Sequence, residues 1–169
     1  MRAVRLGAVP VPPFVAHLRS HVGHGLLWLP GVTGVVLDDD DRLLLGRRAD
    51  NGLWALVSGI LEPGEEPAVG LVREVEEETG VVAEVVALAH LSSTHRVTYP
   101  NGDESQYLDL TFLCRYVDGE ARVGDDESTE VGWFPLGALP DDVTATSRER
   151  LARTLAFRED PARGPFFAR

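Results

Sequence analysis

The sequence predicts a sandwich of the α/β or α+β class, because segments with the composition of strands lie before, between and after two segments with helical periodicity. The chain has 169 residues, of which 44% are hydrophobic and 25% are charged. This length and composition fit one folded domain with a buried core and exclude an intrinsically disordered chain.

The predicted elements follow one another along the chain. Residues 1–12 are rich in proline and are expected to be irregular, whereas residues 13–23 are expected to form a short helix. Valine, leucine and aromatic residues predict strands at residues 31–37, 42–48, 53–59, 81–93, 106–117 and 130–136. Helices are expected at residues 67–79, between Pro67 and Gly80, and at residues 147–157. Asn101-Gly102 predicts a tight hairpin turn.

The charged residues and the single cysteine exclude several classes of function. All 16 basic residues are arginine, which excludes a P-loop and a Schiff-base enzyme because both need a lysine. The net charge of −11 argues against binding to nucleic acid or to anionic membranes. Cys114 alone cannot form an internal disulfide, the start lacks the pattern of a signal peptide, and no apolar run approaches the roughly 20 residues of a membrane span. We therefore expect a cytoplasmic protein with no nucleic-acid and no membrane partner.

The predicted helix at residues 67–79 carries an unusual charge. Between Glu62 and Glu78 there are seven acidic residues and one basic residue, Arg73. At about 100° per residue, Glu74, Glu77 and Glu78 share one arc, apart from the apolar arc of Ala68, Leu71, Val72 and Val75. Like charges at these spacings repel by about 0.2–0.5 kcal/mol per pair. One interpretation is a solvated acidic face, and the other is a site for a hard divalent cation such as Mg²⁺, which substrate phosphates complete.

The residues of this segment resemble the Nudix hydrolase signature. Its defining positions, across the 23 residues Gly59–Val81, are filled by Gly59, Glu65, Arg73-Glu74-Val75, Glu77-Glu78 and Gly80-Val81. The resemblance implies a Nudix-type α/β/α sandwich with a mixed central β-sheet. Its expected organisation is an N-terminal extension with a short helix (residues 1–30), the Nudix domain (31–158) and a C-terminal tail (159–169). Val57-Ser58-Gly59 departs from the Pro-Gly-Gly of many members; the departure is expected to be neutral for metal binding and to reshape the loop near the substrate.

The resemblance also implies roles for individual residues. Mg²⁺, or alternatively Mn²⁺, would be bound by Glu74, Glu77, Glu78 and the carbonyl group of Gly59. Arg73, paired with Glu65, would hold the glutamates in position. Glu74 or Glu77 would be the catalytic base, and the sequence leaves that choice open.

Residues outside the signature supply further candidates. Glu127 is a candidate additional metal ligand or base, with Glu130 as the alternative, since members of the family often carry an acidic residue ahead of the last strand. The alternative interpretation of both is a solvated loop carboxylate. Arg48, Arg47 and Glu65 are the candidate substrate-binding residues, because a guanidinium group at a strand end can hold a phosphate through two hydrogen bonds.

The reaction that the resemblance implies is Mg²⁺-dependent hydrolysis of the diphosphate linkage of a nucleoside diphosphate joined to another group. ADP-ribose or a nucleotide sugar is the favoured small-molecule substrate. The alternative enzyme is a house-cleaning pyrophosphohydrolase of oxidised nucleoside triphosphates. The alternative outside enzymology is a nucleotide-binding sensor, although sensors usually lack one of the glutamates that this chain retains. A homodimer with residues 1–30 at its interface is left open.

Overall fold

The computed structural model describes residues 11–168, and these contain three α-helices and eight strands. The helices are α1 (Pro13–Val22), α2 (Pro67–Thr79) and α3 (Ala145–Glu159), and a short 3₁₀ helix (Pro161–Arg163) follows the last of them. The strands are β1 (Leu27–Leu37), β2 (Arg42–Arg48), β3 (Trp54–Ala55), β4 (Val57–Ile60), β5 (Val81–Ser93), β6 (Val97–Thr98), β7 (Glu104–Gly119) and β8 (Ser128–Pro135). None of the helices in the described range is long and apolar enough to cross a membrane.

The strands form one mixed sheet, which confirms the predicted fold class. Its central order is β3-β2-β1-β7-β5, and β4, β6 and β8 pair with β1, β7 and β2 respectively. Strands β1 and β7 run parallel to each other, and the other pairs are antiparallel. Gly102, in the left-handed region at φ 88°, makes the predicted turn between β6 and β7.

A core layer covers each face of the sheet, because successive side chains of a strand point to opposite faces. On one face, Val32 and Val36 of β1 pack with Leu71 and Val75 of α2. On the other face, Val35 and Leu37 of the same strand pack in a cluster with Leu43, Leu45, Leu113 and Leu151, the last from α3. The predicted α/β/α sandwich is therefore confirmed, with α2 on one side and α3 on the other.

The segment at residues 53–59 differs from the single predicted strand. Its first part, β3, pairs with β2, and its second part, β4, pairs with β1. The change of partner occurs at Leu56, whose N–H group donates a hydrogen bond to the Ser147 hydroxyl at 3.0 Å instead of to a strand. This switch places Gly59 opposite Val32 of β1, on the face that α2 covers.

Helix α1 is joined to the β6–β7 hairpin by one side chain. The guanidinium group of Arg19 donates to the Glu104 carbonyl at 2.7 Å and to the Ser105 hydroxyl at 3.0 Å. It also forms an ion pair with Asp103 at 3.5 Å. The N-terminal helix is therefore fixed against the sheet by polar contacts as well as by the buried side chain of Val15. The domain boundaries given above remain a prediction.

Candidate active site

The last turn of α2 is acidic and contains no basic residue of its own. The helix ends at Gly80, which has a left-handed backbone at φ 67°. The carboxyl end of a helix already bears a partial negative charge from its exposed carbonyl groups. Glu77 and Glu78, placed there, therefore add negative charge where the helix itself favours a cation.

The loop between β7 and β8 closes over this end of the helix. Arg122 donates its N–H to the Thr79 carbonyl and Gly124 donates its N–H to the Glu78 carbonyl, both at 2.9 Å. A β-carbon at Gly124 would lie 1.9 Å from the Glu77 carbonyl oxygen, so this close approach requires glycine. The loop continues into Asp125 and Glu127, and it thereby brings two more carboxylates to the end of α2.

Glu78 is the most deeply buried carboxylate of this group, with 8% of its surface exposed. Burial, reinforced by the negative charges of Glu127 and Glu74, raises the pKa of Glu78 to about 9, and the positive charge of Arg48 opposes this. Among residues 11–168, the Glu78 carboxylate has no hydrogen-bond or ion-pair partner. A buried carboxylate without a partner is unstable in its charged form.

Two neighbouring carboxylates share this environment. Burial, with the charges of Asp125 and Glu74, raises the pKa of Glu127 to about 7. Burial also raises the pKa of Glu74, although Arg73 acts in the opposite direction. Together with Glu78 and Asp125 they form what we call the acidic cluster, Glu74, Glu78, Asp125 and Glu127.

Arg73 holds three carboxylates at once. Its Nε and Nη2 atoms donate to the two carboxylate oxygens of Glu65, at 2.9 and 3.2 Å. Nη2 also donates to Glu74 at 3.0 Å, and Nη1 donates to Glu77 at 2.9 Å. Hydrogen bonding to Arg73 in turn lowers the pKa of Glu65. These contacts fix the orientation of Glu74 and Glu77 on the helix surface.

Two glycines make room for these carboxylates. A β-carbon at Gly59 would lie 2.2 Å from the carboxylate carbon of Glu74 and 2.4 Å from its Oε1 atom. A β-carbon at Gly70 would lie 2.7 Å from the Oε2 atom of Glu65. The missing side chains therefore allow Glu74 to lie directly on β4 and Glu65 to lie directly on α2, within reach of Arg73.

We expect the Gly59→Ala variant to lose activity without losing its fold. The added methyl group would displace the flexible end of Glu74, so kcat should fall by about 10–100-fold, as when groups around a metal site are disturbed. The melting temperature should change little, since a side-chain end moves and no backbone has to. Thermal unfolding and steady-state kinetics check both outcomes. Wild-type kcat in this variant would show that the placement of Glu74 does not matter.

The donor set of the cluster fits a divalent cation. Carboxylate oxygens are the ligands of hard cations such as Mg²⁺, Ca²⁺ and Mn²⁺, and the unpartnered carboxylate of Glu78 lacks the positive charge that such an ion supplies. Within residues 11–168 no three acidic, histidine or cysteine side chains converge on one point, and Glu77, with 58% of its side chain exposed, is held by Arg73. Binding of an ion would therefore involve rotation of side chains. The residues that would hold the ion are Glu74, Glu77, Glu78 and Glu127, and the carbonyl group of Gly59 stays a predicted further ligand.

The structure separates the two arginines at the end of β2. Arg48 lies within electrostatic range of the acidic cluster, since its positive charge lowers the pKa values of Glu78 and Glu127 against the effect of burial. Its Nε and Nη2 atoms donate to Asp50 at 2.9 and 2.6 Å. Arg47 instead pairs with Glu130 at 2.6 Å, beside Trp54. Of the two arginines, Arg48 is therefore the one at the acidic cluster. Of the two candidate loop carboxylates, Glu127 belongs to the cluster, whereas Glu130 is paired with Arg47.

The sequence prediction missed two acidic residues at this site. Asp50 orients the Arg48 guanidinium group, and Asp125 raises the pKa values of Glu78 and Glu127. Asp125 was detectable in principle, since it belongs to the same acidic loop as Glu127 ahead of the last strand. Nothing in the sequence pointed to Asp50.

The stability of the metal-free protein should fall between pH 7 and pH 9. The folded-state pKa of Glu78, about 9, lies above the value of about 4.3 in an unfolded chain. The folded protein therefore holds the extra proton in this window, and the free energy of unfolding falls as that proton leaves. Burial lowers the pKa of His90, which acts only below about pH 6.5, whereas Glu127, with its pKa raised to about 7, also loses its proton in the lower part of the window. The difference in slope between wild type and the Glu78→Gln variant is therefore what reports on Glu78. Thermal unfolding in EDTA measures the fall, and a Glu78→Gln variant with the same slope as wild type would contradict it.

Comparison with known proteins places this site in context. A family model described as "NUDIX domain" matches residues 28–154. A "MutT-like protein" of Streptomyces ambofaciens is 41% identical over 127 residues, which are 75% of this chain and 71% of that protein. The "8-oxo-dGDP phosphatase NUDT18" of Mus musculus is 31% identical over 140 residues, covering 79% of this chain and 39% of that protein.

An "ADP-ribose pyrophosphatase" of Methanocaldococcus jannaschii is 32% identical over 109 residues, covering 62% of this chain and 61% of that protein. The chain thus spans less than two thirds of the length of the NUDT18 relative and of the ADP-ribose pyrophosphatase relative. Among solved structures, a MutT NUDIX hydrolase from Burkholderia pseudomallei matches with a TM-score of 0.63 and 27% identity, covering 75% of this chain and 98% of that one.

Proposed function

This chain belongs to the NUDIX family of hydrolases, and we propose that it is a Mg²⁺-dependent pyrophosphohydrolase. Its substrate is a nucleoside diphosphate joined to a second group, and its product is the nucleoside monophosphate together with the phosphorylated second group. Members of this family generally use divalent metal ions. The choice of Mg²⁺ rests on the oxygen-only donor set and on the phosphate-bearing substrate, since this ion is usually held by carboxylates and substrate phosphates together.

The observation that supports this proposal most directly is Glu78, a largely buried residue whose carboxylate has no hydrogen-bond or ion-pair partner within residues 11–168. Its pKa is raised to about 9 by burial and by neighbouring carboxylates, and no side chain of the described residues neutralises it. A cation at this position would offset both the cost of burying the charged carboxylate and its repulsion by the neighbouring carboxylates. A phosphorylated substrate would complete the coordination of that cation. A surface that is acidic only for solubility would leave its carboxylates in water.

The chain's own residues divide the work of the reaction. Arg48 binds a substrate phosphate, because its Nε and Nη2 atoms are fixed by Asp50 while Nη1 donates to no group within residues 11–168. Glu127 or Glu74, whichever is not bound to the ion, accepts the proton of the attacking water, because both are half-buried carboxylates at the acidic cluster. Glu77, which is exposed and paired with Arg73, is less suited to that role. A bound cation would lower the pKa of the attacking water and offset charge on the diphosphate.

ADP-ribose or a nucleotide sugar is the first substrate candidate. The relative named "ADP-ribose pyrophosphatase" supports this choice. Oxidised nucleoside di- or triphosphates are the second candidate, and the relative named "8-oxo-dGDP phosphatase NUDT18" supports it. The two candidates differ in the group beyond the diphosphate, and therefore in the second product.

A substrate panel tests the proposal. Purified protein is incubated with ADP-ribose, a UDP-sugar, 8-oxo-dGDP and 8-oxo-dGTP, each with Mg²⁺, Mn²⁺ or EDTA, and the products are separated by chromatography. The expected result is AMP and ribose phosphate from ADP-ribose, with Mg²⁺ and not with EDTA. Formation of 8-oxo-dGMP from the oxidised nucleotides, with no product from ADP-ribose or the UDP-sugar, would favour the second candidate. Absence of product from every compound would contradict the proposed function.

A further inference from the structure

A groove lies next to the acidic site, between α1 and the loop that precedes α2. Its walls include Phe14 and Leu18 of α1, Trp28 of β1, and Leu61, Glu62 and Glu65 of the loop. Its volume of about 630 Å³ is within the range of small-molecule sites, about 300–1,000 Å³. The groove combines apolar walls with two carboxylates, and the reaction proposed above does not use it.

Trp28 is the prominent feature of this groove. Its side chain is 62% exposed, although it belongs to β1, whose other residues from Leu29 onward are buried apart from Pro30. An indole ring is the largest apolar side chain, and its flat face stacks well on other aromatic rings. An exposed tryptophan at the wall of a groove is therefore suited to binding a planar aromatic ligand.

The position of Trp28 relative to the catalytic carboxylates fits one substrate. Trp28 and Val32 lie four residues apart on β1 and so face the same side of the sheet, about 13 Å apart at 3.3 Å per residue. Val32 is paired with Gly59, against which Glu74 lies. An extended nucleoside diphosphate, with its base on Trp28 and a cation between its phosphates and Glu74, would have a length of this order. A diphosphate at the acidic cluster would therefore bring a nucleobase to the Trp28 groove.

The charges of the groove determine which end of the substrate it accepts. Glu62 and Glu65 are its ionisable carboxylates, and a carboxylate accepts hydrogen bonds and repels phosphate. Glu65 already accepts bonds from Arg73 and from the Glu62 N–H group, whereas the Glu62 carboxylate has no partner within residues 11–168. A purine with an exocyclic amino group supplies both a stacking face for Trp28 and a donor for Glu62.

We propose that the Trp28 groove binds the purine base of the substrate, and that Trp28 and Glu62 determine base specificity. The inference rests on the proposed function, because that function places the diphosphate at the acidic cluster. The groove and the cluster are also physically connected. Glu65 lines the groove and is bonded to Arg73, which is bonded to Glu74 at 3.0 Å.

The experiment measures nucleoside binding to the full-length protein in EDTA, where no turnover occurs. Adenosine is titrated by calorimetry, and inosine, which lacks the amino group, is the comparison ligand. The variants are Trp28→Ala, Trp28→Phe and Glu62→Gln. Val69→Ala is the matched control, because Val69 is 63% exposed on α2 and does not line the groove.

Trp28→Ala should weaken adenosine binding about 10-fold or more, whereas Trp28→Phe, which keeps an aromatic face, should weaken it only about 2–3-fold. Glu62→Gln should reduce the preference for adenosine over inosine, and Val69→Ala should leave both affinities unchanged. In the turnover assay, Trp28→Ala should raise KM by a similar factor and change kcat less than about twofold. The phenylalanine variant keeps the test valid if the alanine variant unfolds.

Equal adenosine affinity in wild type and both Trp28 variants would overturn the proposal. So would a change of oligomeric state in Trp28→Ala without a change in adenosine affinity, because the groove would then bind a second copy of the chain. These outcomes are separable from failure of the proposed function. If adenosine binds through Trp28 but the protein hydrolyses no diphosphate, the groove proposal stands and the proposed function is contradicted. If the protein hydrolyses a diphosphate and the Trp28 variants have an unchanged KM, the proposed function stands and the groove proposal is contradicted.

Discussion

Replacing Glu78 with glutamine should stabilise the metal-free protein and abolish its catalysis. At pH 8 the folded metal-free protein keeps Glu78 protonated among Glu74, Asp125 and Glu127, because its pKa is raised to about 9, whereas the same group is ionised in the unfolded chain. Holding that proton costs stability, and a neutral amide avoids the cost. The gain should be at least about 1 kcal/mol, which raises the melting temperature in EDTA at pH 8 by about 3 °C or more. The same change removes a proposed metal ligand, so kcat should fall by roughly 100–1,000-fold.

The response to Mg²⁺ separates these two effects. A ligand at 100 times its Kd stabilises a protein by about 2.7 kcal/mol, so wild type should melt several degrees higher in millimolar Mg²⁺, and Glu78→Gln should not. Glu76→Gln is the matched control, because Glu76 is on the same helix and is exposed. If Glu78→Gln retained the Mg²⁺-dependent rise and wild-type turnover, the metal site would have to lie elsewhere.

Most of the acidic helix α2 could be predicted from the sequence because its constraints are local. Spacing along one helix determines which residues share a face, so the separation of the glutamates from Leu71 and Val75 is readable in the sequence. Proline and glycine likewise mark the two ends of α2. Ala68 was expected on the apolar face and is exposed, because it lies in the first turn of the helix, beyond the part that packs on the sheet.

Features that depend on strand pairing could not be predicted in this way. The position of Glu127 beside Glu78, with Glu130 directed to Arg47, follows from the register of β2 and β8, which shifts between Arg47 and Arg48. A shift of one residue reverses which face a side chain occupies. The partner switch at Leu56 depends on Ser147, 91 residues away. Neither contact leaves a local pattern.

The geometry around Arg73 also explains why an arginine, and not merely a positive charge, occupies this position. A planar guanidinium group presents five donors in a fixed arrangement, whereas an ammonium group is a single point charge with three donors. Arg73 uses Nε, Nη1 and Nη2 to bind Glu65, Glu77 and Glu74. Lysine could satisfy the local charge but could not hold the three carboxylates in these directions.

We therefore expect Arg73→Lys to lower kcat by about 10–100-fold and to raise the Mg²⁺ concentration needed for half-maximal activity, with little change in KM for the nucleotide. Arg73→Met should in addition lower the free energy of unfolding by about 1–3 kcal/mol, because Glu65 and Glu74 are partly buried and would lose their partner.

Arg115→Met is the matched control for both Arg73 variants, since Arg115 forms an exposed ion pair with Glu84, and removal of such a pair should change stability by less than about 0.5 kcal/mol. Thermal unfolding with and without Mg²⁺, together with kinetics at varied Mg²⁺, measures each effect. Wild-type kcat and Mg²⁺ dependence in Arg73→Lys would mean that the charge of residue 73 suffices, and that its geometry does not position the glutamates proposed to bind the ion.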